Sequence, residues 1–202
     1  MTASFFVTST GTGIGKTFVT AAIAHRLKIP AFKPISCGGN EDSEVLMAAT
    51  SQSLDETTPW RYAAPLAPSM AAPKEGKRVN LDEVVTWCKA RHGLVEGVGG
   101  IMVPLNESET VLDWMKQLNW PLILVTGSYL GTISHTLTAL EVLKAAKLDV
   151  RALIISESLE NNVGLHETRD ALAQFAKHVP QLITLPRADS WRTAQMEMAW
   201  LR

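Results

Sequence analysis

The chain has 202 residues, 46% of them hydrophobic and 19% charged, a length and balance that can bury a full core and that suit one domain spanning 1–202. Nineteen Lys and Arg against twenty Asp and Glu leave a formal net charge of −1. No field of one sign is available to recruit nucleic acid or an anionic membrane, so small molecules are the expected partners.

The start, Met1-Thr2-Ala3-Ser4 running into Phe5-Phe6-Val7, has no basic region and no long apolar stretch. This pattern argues against a signal peptide or a membrane span and makes a cytoplasmic protein the expectation. The two cysteines, Cys37 and Cys88, fall in different predicted elements without a CxxC spacing, which excludes a disulfide framework. Cys88 lies in an apolar helical pattern and reads as a small buried hydrophobe.

Short apolar runs at Ser4 to Thr8, Ala31 to Ile35, Gly93 to Glu96, Pro121 to Thr126, Val150 to Ile155 and Gln181 to Leu185 are predicted strands. Runs such as Leu122-Ile123-Leu124-Val125 do not alternate, as expected when helices cover both faces of a parallel sheet. Lys16 to Leu27, Leu81 to Cys88, Leu137 to Ala146 and Leu165 to Ala176 carry apolar residues at helical spacing, and Trp191 to Leu201 reads as a short amphipathic helix. Trp60 to Val79, rich in Pro and Ala, reads as one long, mostly irregular loop. Alternating strands and helices predict an α/β, doubly wound, mainly parallel sheet with helices on both faces, whose ligands sit beyond the carboxyl ends of the strands.

The first strand leads into Ser9-Thr10-Gly11-Thr12-Gly13-Ile14-Gly15-Lys16-Thr17 and then a helix. Glycines let backbone N–H groups turn towards an anion, and the helix start adds its positive dipole end. Lys16 is placed for the β- and γ-phosphates of ATP, and the Thr17 hydroxyl for Mg²⁺. Thr10 stands where a strict GxxxxGK[ST] loop has glycine.

Glu96 ends a strand and precedes Gly97-Val98-Gly99-Gly100, which makes it a candidate Mg²⁺ ligand. Asp42, at a predicted helix start, is either a second carboxylate ligand or an ordinary N-cap, and Glu44 competes for the metal role. Lys33 interrupts an otherwise apolar strand. A buried ammonium needs a partner, so Lys33 either faces phosphate or a carboxylate-like substrate group, or snorkels from an edge strand.

These segments together resemble the dethiobiotin synthetases, ATP-dependent ring-closing enzymes of biotin synthesis. The resemblance runs over most of the chain. It is carried by Thr12-x-x-Gly15-Lys16-Thr17, Lys33-Pro34 with Gly38, an acid about nine residues after Lys33, Pro65 with Ala67-Pro68, Val95-Glu96-Gly97-x-Gly99-Gly100 with Pro104-Leu105, and Leu130-Gly131-Thr132-Ile133-Ser134-His135.

The resemblance implies that 7,8-diaminononanoate takes up CO2 as a carbamate, which attacks the γ-phosphate of ATP before the second amine closes a cyclic urea. It implies Lys16, Lys33 and Thr12 as catalytic residues, and Gly13, Ile14, Gly15, Lys16, Thr17 and Phe18 around the nucleotide. It further implies Thr17, Asp42 and Glu96 on Mg²⁺, Cys37 near the diamine, and Gly131, Thr132, Ile133 and Ser134 receiving the substrate's tail carboxylate from a neighbouring subunit, hence a homodimer. Ser156, Pro186 and Arg187 fall where the family lines its base pocket. Three positions depart from the family pattern: Cys37 replaces a Ser or Thr, Ser134 a frequent Asn, and Ser156 an Asn that reads adenine. The last departure implies relaxed base selectivity.

Two rivals share the loop. A cobyrinic acid amide synthase type of amidoligase carries a glutamine-hydrolysing domain for which 202 residues leave no room. A partitioning-type ATPase switch has an extra lysine early in the loop, where this chain has Ser9, Thr10 and Gly11.

Overall fold

The computed structural model describes residues 4–159 and 163–201; Met1 to Ala3, part of the start read above, lie outside them. The elements in chain order are β1 (Phe5–Ser9), α1 (Lys16–Leu27), β2 (Ala31–Phe32), β3 (Ile35–Cys37), α2 (Glu41–Thr50), α3 (Leu54–Thr57), β4 (Trp60–Tyr62), α4 (Pro68–Ala71), α5 (Leu81–Lys89), β5 (Leu94–Glu96), α6 (Val111–Leu118), β6 (Leu122–Gly127), α7 (Thr132–Ala145), β7 (Val150–Ser156), α8 (Leu165–Phe175) and β8 (Gln181–Leu185). Six strands form one parallel sheet in the order β2-β5-β1-β6-β7-β8, while β3 and β4 pair apart from it. This is the α/β, doubly wound arrangement that the alternation of elements predicts.

The non-alternating strands have a simple cause, because both sheet faces are buried. Phe6, Leu122 and Leu124 point into a core shared with α5, α6, α7 and α8. Phe5, Val7, Ile123 and Val125 point into the opposite core, closed by α1 and α2. On the first face the Phe6 and Trp114 rings meet edge to face at 4.9 Å. Among the described residues no helix is long and apolar enough to cross a membrane.

The strand order reverses beside β1: its chain neighbours β2 and β5 lie on one side, β6 to β8 on the other. A crevice opens at such a switch point, beyond the carboxyl ends of the strands. The loop after β1 sits there.

Several local expectations change. The run read as one strand over Ala31 to Ile35 breaks at Lys33-Pro34: Pro34 has no N–H to donate to a ladder, and β2 and β3 join different sheets. The stretch Trp60 to Val79 is not mostly irregular. It holds β4, α4 and a 3-10 turn over Ala72–Glu75, with Tyr62, Ala71, Ala72 and Val79 buried.

Trp191 to Leu201 is not a helix. Ala194, Met196 and Met198 are buried while Gln195 and Glu197 between them are exposed. This period of two belongs to extended chain. The tail lies against the α1 side of the sheet and ends in a 3-10 turn over Ala199–Leu201.

Candidate active site

The loop from Thr10 to Gly15 turns between β1 and α1, and Gly15 caps the helix at φ 85°, a left-handed conformation that glycine reaches without steric cost. A Cβ there would also stand 2.7 Å from Ser156 Oγ. Ser9 Oγ lies within hydrogen-bond distance of the carbonyls of Gly11 (2.6 Å) and Gly99 (3.1 Å), tying the loop to the turn after β5.

Thr10, where a strict loop has glycine, is part of a hydroxyl network. Its Oγ1 is 3.1 Å from Thr126 Oγ1 at the end of β6, which is 2.9 Å from Thr132 Oγ1 and 2.8 Å from Thr136 Oγ1. Thr132 and Thr136 donate their own protons to the carbonyls of Gly127 and Thr132. Each hydroxyl has one proton to give and can accept others, so Thr126 links Thr10 to Thr132 and Thr136 and the network orders the loop against the start of α7.

Four charged side chains gather beyond β2 and β5. Phe32 and Val95 are register partners, so Lys33 and Glu96 are the next residues along two neighbouring strands. Lys33 Nζ lies 2.8 Å from Glu96 Oε1 and 2.7 Å from Asp42 Oδ2. Lys16 Nζ is 3.6 Å from the same Glu96 oxygen, and Thr17 Oγ1 donates to it at 2.7 Å. Glu96 is fully buried, and among the described residues its other oxygen, Oε2, has no hydrogen-bond partner. A buried carboxylate oxygen left alone is costly, so one side of this cluster is built to meet something more.

Burial alone would raise the Glu96 pKa, but the charges of Lys33 and Lys16 more than offset it and hold the carboxyl below its ordinary value. Asp42 behaves the same way, burial opposing and Lys33 prevailing. Burial would lower Lys33, yet Glu96 and Asp42 raise it above the ordinary lysine value. For Lys16 burial wins over Glu96, and its pKa falls.

Asn40 occupies the N-cap of α2, so the capping alternative for Asp42 fails. Asp42 faces Lys33, whereas Glu44 is exposed. Lys33 does not snorkel; it is 3% exposed and ion-paired.

A cavity of about 250 Å³ is lined by Thr12, Lys16, Thr17, Lys33, Cys37 and Asp42, among others. Burial pushes the Cys37 thiol up to about 11. A second cavity, about 260 Å³, lies on the other side of the loop, where Gly13, Ile14, Gly15 and Phe18 meet Ser156, Pro186 and Arg187. Glu157 Oε2 accepts from the Arg187 N–H at 2.8 Å and braces that wall.

Gly131, Thr132, Ile133 and Ser134 line neither cavity. Thr132 is buried, with its hydroxyl spent in the threonine network, and Gly131 is the N-cap of α7. Sequence reasoning missed Ser9, Val98, Gly99, Thr126 and Glu157. Only Val98 and Gly99, inside a glycine-rich turn after a strand, carried a local signal. Glu157 acts through Arg187, while Ser9 and Thr126 join near partners, Gly11 and Thr132, to distant ones, Gly99 and Thr10.

The comparisons agree with this geometry. A family model described as an AAA domain matches residues 3–194. The chain is 43% identical to the ATP-dependent dethiobiotin synthetase of Caulobacter sp. (strain K31), over 93% of this chain and 90% of that one. It is 36% identical to the dethiobiotin synthetase of Acidiphilium cryptum (strain JF-5), over 98% and 96%. Solved structures with a similar fold include the septum site-determining protein MinD of Pyrococcus horikoshii OT3 with Mg-ADP (TM-score 0.57, 18% identity, 93% of this chain and 82% of that one). A ParA family ATPase from Chlorobium tepidum TLS is similar as well (TM-score 0.54, 14% identity, 94% and 86%). These two share the P-loop fold alone, whereas identity over nearly the whole length places the chain by descent: it belongs to the ATP-dependent dethiobiotin synthetase family of ligases.

Proposed function

We propose that this chain, acting as one domain, converts 7,8-diaminononanoate, CO2 and ATP to a cyclic urea, dethiobiotin, with release of ADP and phosphate. The observation that carries the reading is the convergence of Lys16, Lys33 and Thr17 on one oxygen of buried Glu96, with the other oxygen unpartnered, at the mouth of the phosphate loop.

One amine attacks CO2 and loses a proton, giving a carbamate. A carbamate oxygen attacks the γ-phosphorus as ADP leaves, and the second amine then attacks the carbonyl carbon of the carbamic-phosphoric anhydride and expels phosphate. Lys16 neutralises charge on the transferring phosphoryl group, and Lys33 holds the carbamate. Thr12, exposed on the cavity rim, positions substrate or phosphate. Ser156, Pro186 and Arg187 contact the base, and Cys37 lies beside the diamine.

Mg²⁺ fits the donors present. It takes hard oxygens, commonly one or two carboxylates with phosphate and water, and Thr17 Oγ1, Asp42 and the unpartnered Glu96 Oε2 are such a set. Among the described residues no group of three or more His, Cys, Asp or Glu forms an all-protein cage. A hydroxyl with two carboxylates suits an ion shared with phosphates. When bound, the ion neutralises charge on the β- and γ-phosphates.

The exposed start of α7 at Gly131 and Ser134 receives the tail carboxylate of a substrate held by a second copy, so the working form is a cytoplasmic homodimer. The test is phosphate release from Mg-ATP and bicarbonate, with and without the diamine. Release that requires the diamine, with a cyclic urea by mass, supports the ligase; diamine-independent release overturns it. In the Lys16→Ala variant turnover is expected to vanish.

A further inference from the structure

A third cavity, about 320 Å³, lies at the end of α1 remote from the phosphate loop. The twelve residues of α1 separate its ends by about 18 Å. His25, Arg26 and Lys28 approach the cavity from the last turn of α1, and Arg192 and Trp191 approach from the tail. Among the described residues no acidic side chain lines it.

Trp191, 9% exposed, organises the cations. The Arg192 guanidinium stacks over its ring at 4.0 Å, and the His25 ring meets it edge to face at 5.1 Å. Arg26 Nη1 reaches the Met196 carbonyl at 3.5 Å, leaving its other N–H groups available. A stacked guanidinium keeps its donor edge free, in a planar fork that matches an oxyanion. Among the described residues, Arg26, Lys28 and Arg192 take part in no ion pair.

A simpler reading assigns these cations to the negative end of α1. That dipole is worth about half an elementary charge and acts within the last turn. It accounts for basic residues on the helix itself. It does not account for Arg192, which a different segment brings to the same cavity against the repulsion of the others. A shared anion removes that repulsion.

We propose that this cavity binds a small phosphate-bearing anion of the diphosphate type, outside the active site. Arg26 and Arg192 grip it from two segments, with Lys28 adding charge and the His25 ring a further polar edge. Because Arg192 follows closely on Leu185 to Ala188, which line the base cavity, the bound anion fastens the tail that continues from the nucleotide wall onto α1.

The test uses inorganic pyrophosphate without Mg²⁺ in the Lys16→Ala protein, which disables the phosphate loop. Isothermal titration is expected to show saturable binding, and the Trp191 indole N–H resonance is expected to shift as the site fills. Adding Arg26→Ala and Arg192→Ala is expected to weaken binding about tenfold or more, since charge-assisted hydrogen bonds are lost. Arg192→Gln, which retains the stem, is expected to weaken it less, with the circular dichroism spectrum unchanged. No saturable binding by the Lys16→Ala protein, or binding indifferent to both arginines, overturns the proposal.

Discussion

Lys33 Nζ and Glu96 Oε1 stand 2.8 Å apart although 63 residues separate them in the chain. The contact follows from sheet order: β2 and β5 are parallel neighbours, and each strand delivers its next residue to the same carboxyl edge. One carboxylate thereby serves two buried lysines.

Replacing Glu96 with Gln leaves Lys16 and Lys33 buried beside an uncharged amide. Breaking a buried ion pair by removing one partner costs about 3–5 kcal/mol. A loss of that order is expected in the urea-unfolding free energy of the Glu96→Gln protein in metal-free buffer, read as a lower midpoint, and the Mg²⁺ dependence of turnover should weaken more than diamine binding. An unchanged midpoint would contradict the buried cluster.

Acid should unfold the protein partly through this cluster. Glu96 and Asp42 are held below their ordinary values of 4.5 and 3.8. Depressed carboxyls contribute stability that is present above the unfolded values and lost as pH falls through the folded ones. Stability in chelator should therefore decline as pH drops below about 4.5, and the decline should be shallower in Glu96→Gln. Lys33, raised above 10.5, contributes at neutral pH and loses its share only as pH climbs beyond that value.

The threonine network predicts a modest cost for Thr126→Val, a change of nearly equal volume. Thr132 and Thr136 keep their carbonyl acceptors, and Thr10, which loses Thr126, is only half-buried and can turn to water, so the variant loses hydrogen bonds without stranding buried donors. A drop of about 1 kcal/mol in urea-unfolding free energy is expected. A loss several times larger would mean that the network carries more than these contacts.

Both thiols should react slowly in the folded protein. Burial pushes Cys37 to about 11 and Cys88 to about 12, and the thiolate is the reactive form. Disulfide-reagent labelling at pH 8 should be slow in native buffer and reach two thiols per chain in denaturant. Rapid native labelling of Cys37 would place its thiol in a more open setting.

In the cavity proposed to take the base, the Ser156 hydroxyl can donate or accept and so suits amino and keto edges alike. Preference for ATP over CTP and GTP in kcat/KM is expected to stay below about a hundredfold, far from the 10⁴ or more of a site whose polar groups demand one partner. Stronger discrimination would assign base reading to another group.

Much of the site was legible because strand ends are legible. Lys33 and Glu96 follow or end an apolar run, Lys16 and Thr17 close the glycine loop that leaves one, and in a parallel sheet those positions share an edge whatever the strand order. The threonine network was not legible: Thr10 and Thr126 are 116 residues apart, and neither carries a local pattern. The tail misled because Trp191, Ala194, Met198 and Leu201 fit a helical spacing, while Met196, buried among them, follows the period of two that packing against α1 selected.

By itself, then, the sequence determined the α/β class, the phosphate loop and the candidates for charge chemistry, because periodicity and loop composition are properties of residues within a turn or two of each other. Only the tertiary structure decided that Lys33 and Lys16 share one oxygen of Glu96, that its other oxygen is left without a hydrogen-bond partner among the described residues, and that Asp42 rather than Glu44 joins them. Those outcomes depend on which strands become neighbours, and neighbour choice is made by burying both faces of the whole sheet, a sum over residues that no local window contains.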